Sequence, residues 1–586
     1  MKNIYSIIKQ TAGNHLNDIC LIYKNDSITY SDLLNKANIY ASHLNKSGLN
    51  KNDIVCIISG RSIQMTTCVV GIIQAGGAYL LIDPETPDKR IEQFLKETES
   101  KYIFIDDDHY SQYDFHNKIN LTELYDSKEK FEFINCERDE NYLTYVVYTS
   151  GTSGQPQAVM AEDKNILTYI NSYISLFNIN DTDIILQQSP IYYDGFAEEM
   201  FSMLFTGGTI ILPVKHELKN AKMIRNLILK HKITILPTTP LILNELNKEA
   251  QMSSIRAFVS SGDVLRFSHY NYIVKYTNVY NMYGPTETTV CACYYKCSEH
   301  DSSLAPIGIE LDGYQVYILD ENLCPVKTGE TGEIYISGGG VSRGYLNCRA
   351  STEKAFIIYG KERAYKTGDL AYKDKNNRLH FAGRKDRQIK LNGNRIELNE
   401  IENIINKCPE INNISVLPLN DNNDGENIQI CAFFMSESYD EMKLKEYCRL
   451  NMPNYMIPAI YKKMTKFPVT DTGKPDYKLM KSYITLSGNI SLSDNTDELD
   501  KVQLKILMII KSVLENRKSM IKQLSVNDSL DTMGMDSISY INIIVTIEEA
   551  FNFEFKNDYL DYGKFKIIND IYFYVMKRIG INHESA

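Results

Sequence analysis

The sequence predicts a large α/β region, then a smaller α+β unit, then a small helical bundle, and three features carry that reading. Apolar, strand-like runs alternate with helical patterns up to about residue 380. Shorter and denser elements follow from about 384 to 480. A polar, turn-rich stretch at 481–497 then gives way to apolar residues at helical spacing. At roughly 150 residues per domain, 586 residues make about three or four folding units, which excludes a single small binding module.

Taken in order, buried strands are expected at Ile54–Ile58, Lys101–Ile105, Leu143–Tyr148, Ile184–Leu186, Ile210–Leu212 and Ile233–Leu236. The long uncharged stretch Ser62–Ile82 contains Gln64, Thr66, Thr67, Gln74 and a Gly-Gly pair, which suits a buried helix running into a strand rather than a membrane span. The second unit reads as a helix at Asn399–Lys407 and strands at Ile414–Pro418 and Ile428–Met435. In the tail, Val502, Leu504, Ile506, Leu507, Ile509, Ile510, Val513 and Leu514, and later Ile541, Ile544, Val545 and Phe551, recur close to the helical period. The expected divisions are 1–383, 384–480, a linker at 481–497, and 498–582.

Composition narrows the function. With 43% hydrophobic and 23% charged residues the chain has the apolar content of a folded protein. Its net charge of −11 argues against nucleic acid or anionic membrane as a partner. The 12 cysteines are scattered; Cys291, Cys293 and Cys297 lack the paired spacing of a zinc site, so reduced core thiols are expected. Asn3, Ser6 and Lys9 interrupt the first ten residues before any signal-peptide core, and a cytoplasmic location is expected.

The chemistry begins at Tyr148-Thr-Ser-Gly-Thr-Ser-Gly-Gln-Pro156, directly after an apolar strand. Gly151 and Gly154 let backbone amides approach an oxyanion, and Thr149, Ser150, Thr152 and Ser153 offer hydroxyl donors to phosphate oxygens. By spacing alone, such a turn is more often an ordinary loop.

It does not stand alone. Together with Ala75-Gly-Gly-Ala-Tyr79, Ile82-Asp-Pro84, Asn281-Met-Tyr-Gly-Pro-Thr-Glu-Thr288, Tyr365-Lys-Thr-Gly-Asp-Leu370, Gly383-Arg-Lys-Asp-Arg-Gln388 and Thr472-Gly-Lys474, the segment resembles the adenylation domains of nonribosomal peptide synthetases. The order and spacing agree over roughly the first 480 residues. The resemblance implies the acyl-adenylate-forming fold, with a large N-terminal α/β domain and a small α+β domain that rotates between two half-reactions.

The same resemblance assigns roles. Glu287 sits where the family holds Mg²⁺ against the ATP phosphates. Asp369 matches the carboxylate that accepts the ribose hydroxyls, Tyr283 and Gly284 the adenine-packing pair, and Arg384 a nucleotide-contacting arginine. Thr149 to Gly154 and Thr286 complete the nucleotide set, and Asp386 matches the hinge. Lys474 is the catalytic candidate, its ammonium offsetting charge that gathers between carboxylate and α-phosphate. Without the family context, each is a turn acid, a core tyrosine or a solvated lysine.

Asp194 aligns with the acid that pairs with a substrate α-ammonium group, which favours an amino acid. The other pocket positions are Gly195, Glu198, Ile235, Val259, Ser261, Met282, Val290 and Cys291, mostly apolar with one carboxylate. Glu198 needs a donor, so the pocket leans toward a side chain carrying a cation or hydrogen-bond donor; a water or a protein group beside a smaller substrate is the alternative.

Two positions depart from the family pattern: Gln157 stands for the usual phosphate-loop lysine and Asp163 for a histidine. Losing an exposed loop cation is expected to weaken ATP or pyrophosphate contacts and slow turnover without abolishing it.

The tail motif Leu530-Asp-Thr-Met-Gly-Met-Asp-Ser-Ile538 opens an apolar helix, with Asp536 as a cap and Ser537 in its first turn. It resembles the attachment site of carrier proteins, which implies a four-helix-bundle carrier domain bearing 4′-phosphopantetheine on Ser537, where helix amides and dipole face the phosphodiester. An ordinary capping Asp-Ser pair is the plain alternative. There is no His-His-x-x-x-Asp-Gly, Gly-x-Ser-x-Gly or Gly-x-Gly-x-x-Gly signature, so the chain is expected to load but not condense or release. The expected partners are an amino acid, a phosphopantetheinyl transferase and a condensation, tailoring or acyl-transfer enzyme in trans. An acyl or aryl acid ligase fused to a carrier, and a carrier whose adenylation half is only a scaffold, remain open.

Overall fold

Unbroken apolar runs form the sheet centres, because a strand covered on both faces has no position for a charge. Ile54–Ile58 and Ala78–Ile82, buried throughout, pair in parallel. The crossover between them is the buried helix Ile63–Ala75; Ser62 caps it by accepting from the Met65 amide at 3.0 Å, and Gly76 ends it in the left-handed region at φ +90°. Ser62–Ile82 is thus the helix and strand the sequence predicts, and among the described residues no helix is long and apolar enough to cross a membrane.

The computed structural model describes residues 3–578 apart from 129–131, 135–136, 151–154, 219, 249–251, 302, 392, 409, 421–427, 465–476, 478–479, 481–505, 508, 511–527, 531–536, 552–554 and 557–563. The chain divides into two units, Met1–Glu400 and Ile401–Ala586. The expected divisions at 383, 480 and 497 differ from this one; the predicted linker lies outside the described residues.

Among the described residues, the first unit holds three sheets and a ribbon. One is seven-stranded, in the order Gly344–Tyr345, Gln157–Glu162, Leu143–Thr149, Ala78–Ile82, Ile54–Ile58, Tyr102–Ile105 and Lys118–Asn120. A nine-stranded sheet carries a parallel centre from Asn278–Tyr283 through Ala257–Ser260, Ile235–Thr238, Ile184–Leu186 and Thr209–Leu212 to Ile19–Tyr23. The third is antiparallel and includes Glu362–Lys373 paired with Leu379–Arg384. Gln388–Leu391 and Asn394–Glu397 form a two-stranded hairpin. Strand ends shift from those predicted by up to two residues, as with Ile233–Leu236, which forms as Ile235–Thr238.

Both departures from the family pattern have structural explanations. Gln157 is not an exposed loop position: it opens the strand Gln157–Glu162 opposite Thr149 and is buried, which corrects the expectation of an exposed loop residue there. Asp163 starts the helix Asp163–Phe177, where its carboxylate lies 2.7 Å from the buried Arg138 guanidinium and accepts from Thr144 Oγ1 at 2.7 Å. Arg138 also donates to the carbonyls of Ile73, Gly77 and Leu143 at 2.6–3.2 Å, so neither charge is left uncompensated.

In the second unit, Asn413–Asn420, Ile428–Met435 and Ile460–Lys463 form one sheet, and Asp440 caps the helix Glu441–Asn451. The helix expected at Asn399–Lys407 runs Leu398–Ile405. In the tail, the helices Ser537–Phe551 and Ile568–Arg578 and helical residues around Ile506–Ile510 share an apolar cluster that includes Ile510, Tyr540, Ile544 and Val575. Ser537 is the first helical residue, as expected of a position facing free helix amides, and Asp536 lies outside the described residues. The described cysteines are free and, apart from Cys324 and Cys348, buried, as expected of core thiols.

The Arg138–Asp163 pair gives a direct test of this reading. Arg138→Leu leaves Asp163 buried without its cation and is expected to cost about 3–5 kcal/mol, read as a lower urea midpoint for the large unit; an unchanged midpoint would contradict it.

Candidate active site

The residues singled out in the sequence come from loops at the ends of the two larger sheets and from the antiparallel sheet, the usual place for ligands in open α/β folds. Strand pairing brings the nucleotide set together. Asp369 and Arg384 are directly opposite on antiparallel strands, so their side chains meet across the ladder. Arg384 donates to one oxygen of Asp369, and the Tyr283 hydroxyl donates to the other at 2.6 Å. Arg384 also forms a two-pronged pair with Asp386, at 2.7 Å on each prong. Gly284 is demanded by packing: a Cβ there would sit 2.4 Å from the Cys291 Cα.

Glu287 lies on the turn after strand Asn278–Tyr283 and is 1% exposed. Burial alone would raise its pKa, but the Arg395 guanidinium, 2.7 and 3.0 Å from its two oxygens, and the Tyr345 hydroxyl, at 2.9 Å, hold the carboxyl below its ordinary range. It is therefore an ionised carboxylate that already accepts a cation, which fits the hard-oxygen ligand Mg²⁺ requires. In this structure the cation on Glu287 is the Arg395 guanidinium.

Arg395 belongs to the hairpin 388–397, which covers the nucleotide residues. Ser150 Oγ donates to the Arg395 carbonyl at 2.9 Å, Tyr193 donates to Asn394 Oδ1 at 2.6 Å, and Lys390 Nζ lies 5.7 Å from the Tyr283 ring centre. Thr149 is buried and its hydroxyl donates to the Gln157 carbonyl at 3.4 Å. Thr286 lies beside Asp194 and Glu287. Gly151, Thr152, Ser153, Gly154 and Lys474 lie outside the described residues.

The pocket set also converges. Ile235, Val259 and Met282 stand on neighbouring parallel strands, Ser261 follows the second of them, and Val290 and Cys291 follow the turn that carries Glu287. Thr289 and Val290 are consecutive β-branched residues in the left-handed region, at φ +62° and +63°, a strained conformation. Thr289 is held there by its hydroxyl on the Gly340 carbonyl at 2.7 Å. The strain points the Val290 amide at Asp194, whose Oδ2 accepts it at 3.3 Å. Burial pushes the Asp194 pKa up against the Thr286 and Val290 hydrogen bonds, so a cation beside it would be strongly favoured. Gly195 follows on the helix Gly195–Leu204, close against Ser189.

Glu198, on the same helix, finds a donor within the protein: the Tyr169 hydroxyl binds its Oε2. Burial pushes its pKa up to about 8, against the hydroxyls of Tyr169 and Tyr173 and reinforced by Glu199 and Asp194. Glu199 has a different task, accepting from Gln187, Ser189 and the Gln188 amide to brace the preceding loop.

Tyr169, Tyr345 and Arg395 were not foreseen in the sequence. Arg395 had a visible signal, since Leu391-Asn-Gly-Asn394 is a hairpin turn, with Gly393 at φ +80°. Tyr169 and Tyr345 lie on distant elements and carry no local signal.

Residues 8–346 match the family described as AMP-binding enzyme, and residues 505–562 match the phosphopantetheine attachment site. The chain is 34% identical to bacitracin synthase 2 of Bacillus licheniformis over 82% of its own length, but spans only 18% of that protein. It is 31% identical to zwittermicin A synthase ZmaJ of Bacillus cereus, covering 81% of this chain and 94% of that one. Its fold is similar to that of holo-PA1221, a nonribosomal peptide synthetase protein containing adenylation and carrier domains, with a TM-score of 0.77 and 21% identity over 94% of this chain and 92% of that one. ATP with Mg²⁺ and 4′-phosphopantetheine are the cofactors these two matches bring. The chain belongs to the AMP-binding enzyme family and carries a phosphopantetheine attachment segment behind its AMP-binding region.

Proposed function

We propose that this chain activates an α-amino acid as its aminoacyl adenylate and transfers it to the phosphopantetheine thiol on its own Ser537, in nonribosomal peptide or related secondary-metabolite biosynthesis. In the first step a substrate carboxylate oxygen attacks the α-phosphorus of ATP and pyrophosphate leaves. In the second, the thiol attacks the acyl carbon, the C–O bond to phosphate breaks, AMP departs and the thiol proton passes to solvent.

The observation that carries this reading is Asp194: a half-buried carboxylate, met by a strained Val290 amide, beside the turn that bears Glu287. It fits an α-ammonium group, which a plain acyl or aryl acid lacks. A carrier with a disabled adenylation scaffold is the alternative that Gln157, a buried strand residue in place of the family's lysine, keeps open to the loading test below.

This chain's residues divide the work. Asp194 holds the ammonium group, Tyr283 and Gly284 shape the base site, and Asp369 accepts the ribose hydroxyls once Arg384 yields. Bound at Glu287, Mg²⁺ would draw charge from the ATP phosphates. Lys474 would offset charge at the reacting carboxylate, Asp386 would be the hinge, and Arg395 would leave Glu287 for the first step. A phosphopantetheinyl transferase would install the thiol, and an enzyme in trans would take the product.

For the side chain, Glu198 favours a cation or a strong hydrogen-bond donor. Tyr169 serves one oxygen, and the remaining lining, Ile235, Val259, Met282 and Val290, is apolar.

Intact mass of the phosphopantetheinylated chain tests the reaction. With ATP, Mg²⁺ and pooled amino acids, a gain matching one aminoacyl group is expected, and Ser537→Ala should lose it while keeping pyrophosphate exchange. Failure of both exchange and loading in the folded chain would contradict the function. The pH profile tests the side chain. Glu198 is neutral below about 8 and ionised above it, and a cation needs the ionised form. KM for a cationic amino acid should therefore fall by up to about tenfold per unit as pH rises toward 8, then level; Glu198→Gln should flatten the profile, and a flat wild-type profile would exclude the cation.

A further inference from the structure

We propose that Arg90 and Glu400 are a latch that holds the segment 388–400 over the nucleotide site, and, resting on the function proposed above, that this latch sets the balance between the two half-reactions. Their side chains are 9% and 1% exposed and meet at 3.0 Å, Nη1 to Oε1.

The fixed half is anchored to the phosphate loop. Arg90 lies on the helix Asp88–Thr98, with its guanidinium carbon 5.4 Å from the centre of the Phe94 ring. That ring stacks at 3.7 Å on Tyr148, in the strand that runs into the loop, and the Tyr148 hydroxyl donates to Glu97 at 3.0 Å. Arg90 is thus held by aromatic packing on the one strand whose end bears Thr149 and Ser150.

The other half travels with the hairpin. Glu400 lies five residues after Arg395, directly beyond the strand Asn394–Glu397. Segment 388–400 is therefore pinned by two charge pairs of opposite sense: Arg395 gives its cation to Glu287, and Glu400 receives one from Arg90. Both bonds lie beyond the hinge residue Asp386, so a turn there that frees Arg395 must also part Arg90 from Glu400.

The pair is built to be reversible. Among the described residues neither oxygen of Glu400 accepts a well-aligned hydrogen bond, and Arg90 compensates it chiefly by charge, with a weaker side-chain hydrogen bond. A buried pair with so little hydrogen bonding gains little over its own hydration. Burial pushes the Glu400 pKa up while Arg90 opposes the shift. With Arg90 removed, the carboxylate regains solvation only by leaving its site. Among the described residues, no hydrogen bond or ion pair joins Arg90 or Glu400 to the nucleotide or substrate positions, and the two act as positioning residues.

A double-mutant cycle on the full-length phosphopantetheinylated chain decides this, using Arg90→Met, Glu400→Met and the pair together. Amide hydrogen exchange of 388–397 is read without substrate, alongside pyrophosphate exchange and the rate of aminoacyl loading by intact mass. Arg90→Met is expected to raise exchange in 388–397 by about tenfold and to slow loading by a similar factor, with pyrophosphate exchange retained. The double variant should recover much of both losses, since neither charge is then buried alone. Unchanged hairpin exchange in Arg90→Met, or a double variant as impaired as the two single losses combined, would overturn the latch. Should Glu400→Met fail to fold, Glu400→Gln keeps the shape, and the same rise in hairpin exchange is required of it. A wild-type chain without pyrophosphate exchange would count against the proposed function alone, because hairpin exchange still decides the latch.

Discussion

A fully buried carboxylate must be given a positive charge, and Glu287 organises the first unit around that requirement. Its turn closes the strand that carries Met282 and Tyr283, its oxygens accept from Arg395 and Tyr345, and the hairpin that supplies Arg395 also accepts from Ser150. A guanidinium and a metal ion cannot both occupy those oxygens. On the function proposed above, Mg²⁺ and the Arg395 guanidinium would be alternatives at Glu287, and that side chain would link the phosphates to the position of the hairpin.

The pocket shows the same economy of charge. Glu198 and Glu199 are adjacent and both buried, yet they serve different ends. Glu199 is surrounded by donors from its own loop and is structural, whereas Glu198 meets the hydroxyls of Tyr169 and Tyr173. The strain at Thr289 and Val290 is placed where it directs an amide at Asp194, which ties a costly backbone conformation to the group proposed above to hold a substrate ammonium.

Much of this was legible in the sequence. Strands such as Ile54–Ile58 and Ile428–Met435 form over the residues predicted, because a run buried on both faces leaves no ambiguity about which residues it contains. The motif residues converge because they end or follow neighbouring strands. What escaped was long-range. Asp163 looked like a lost histidine until Arg138, 25 residues earlier, was seen to neutralise it. Gln157 looked like a loop residue because the strand after Pro156 begins one residue earlier than the apolar pattern announces. Arg395 sat in a recognisable Asn-Gly hairpin, but nothing local reveals that its partner lies 108 residues away.

The most direct test of exclusive occupancy at Glu287 is amide hydrogen exchange of 388–397 in the full chain, with and without Mg²⁺ and a non-hydrolysable ATP analogue. Protection is expected to fall when metal and nucleotide are added together and to persist with the analogue and EDTA. Protection that stays unchanged while the metal–nucleotide complex is bound would mean that Arg395 and the cation do not compete.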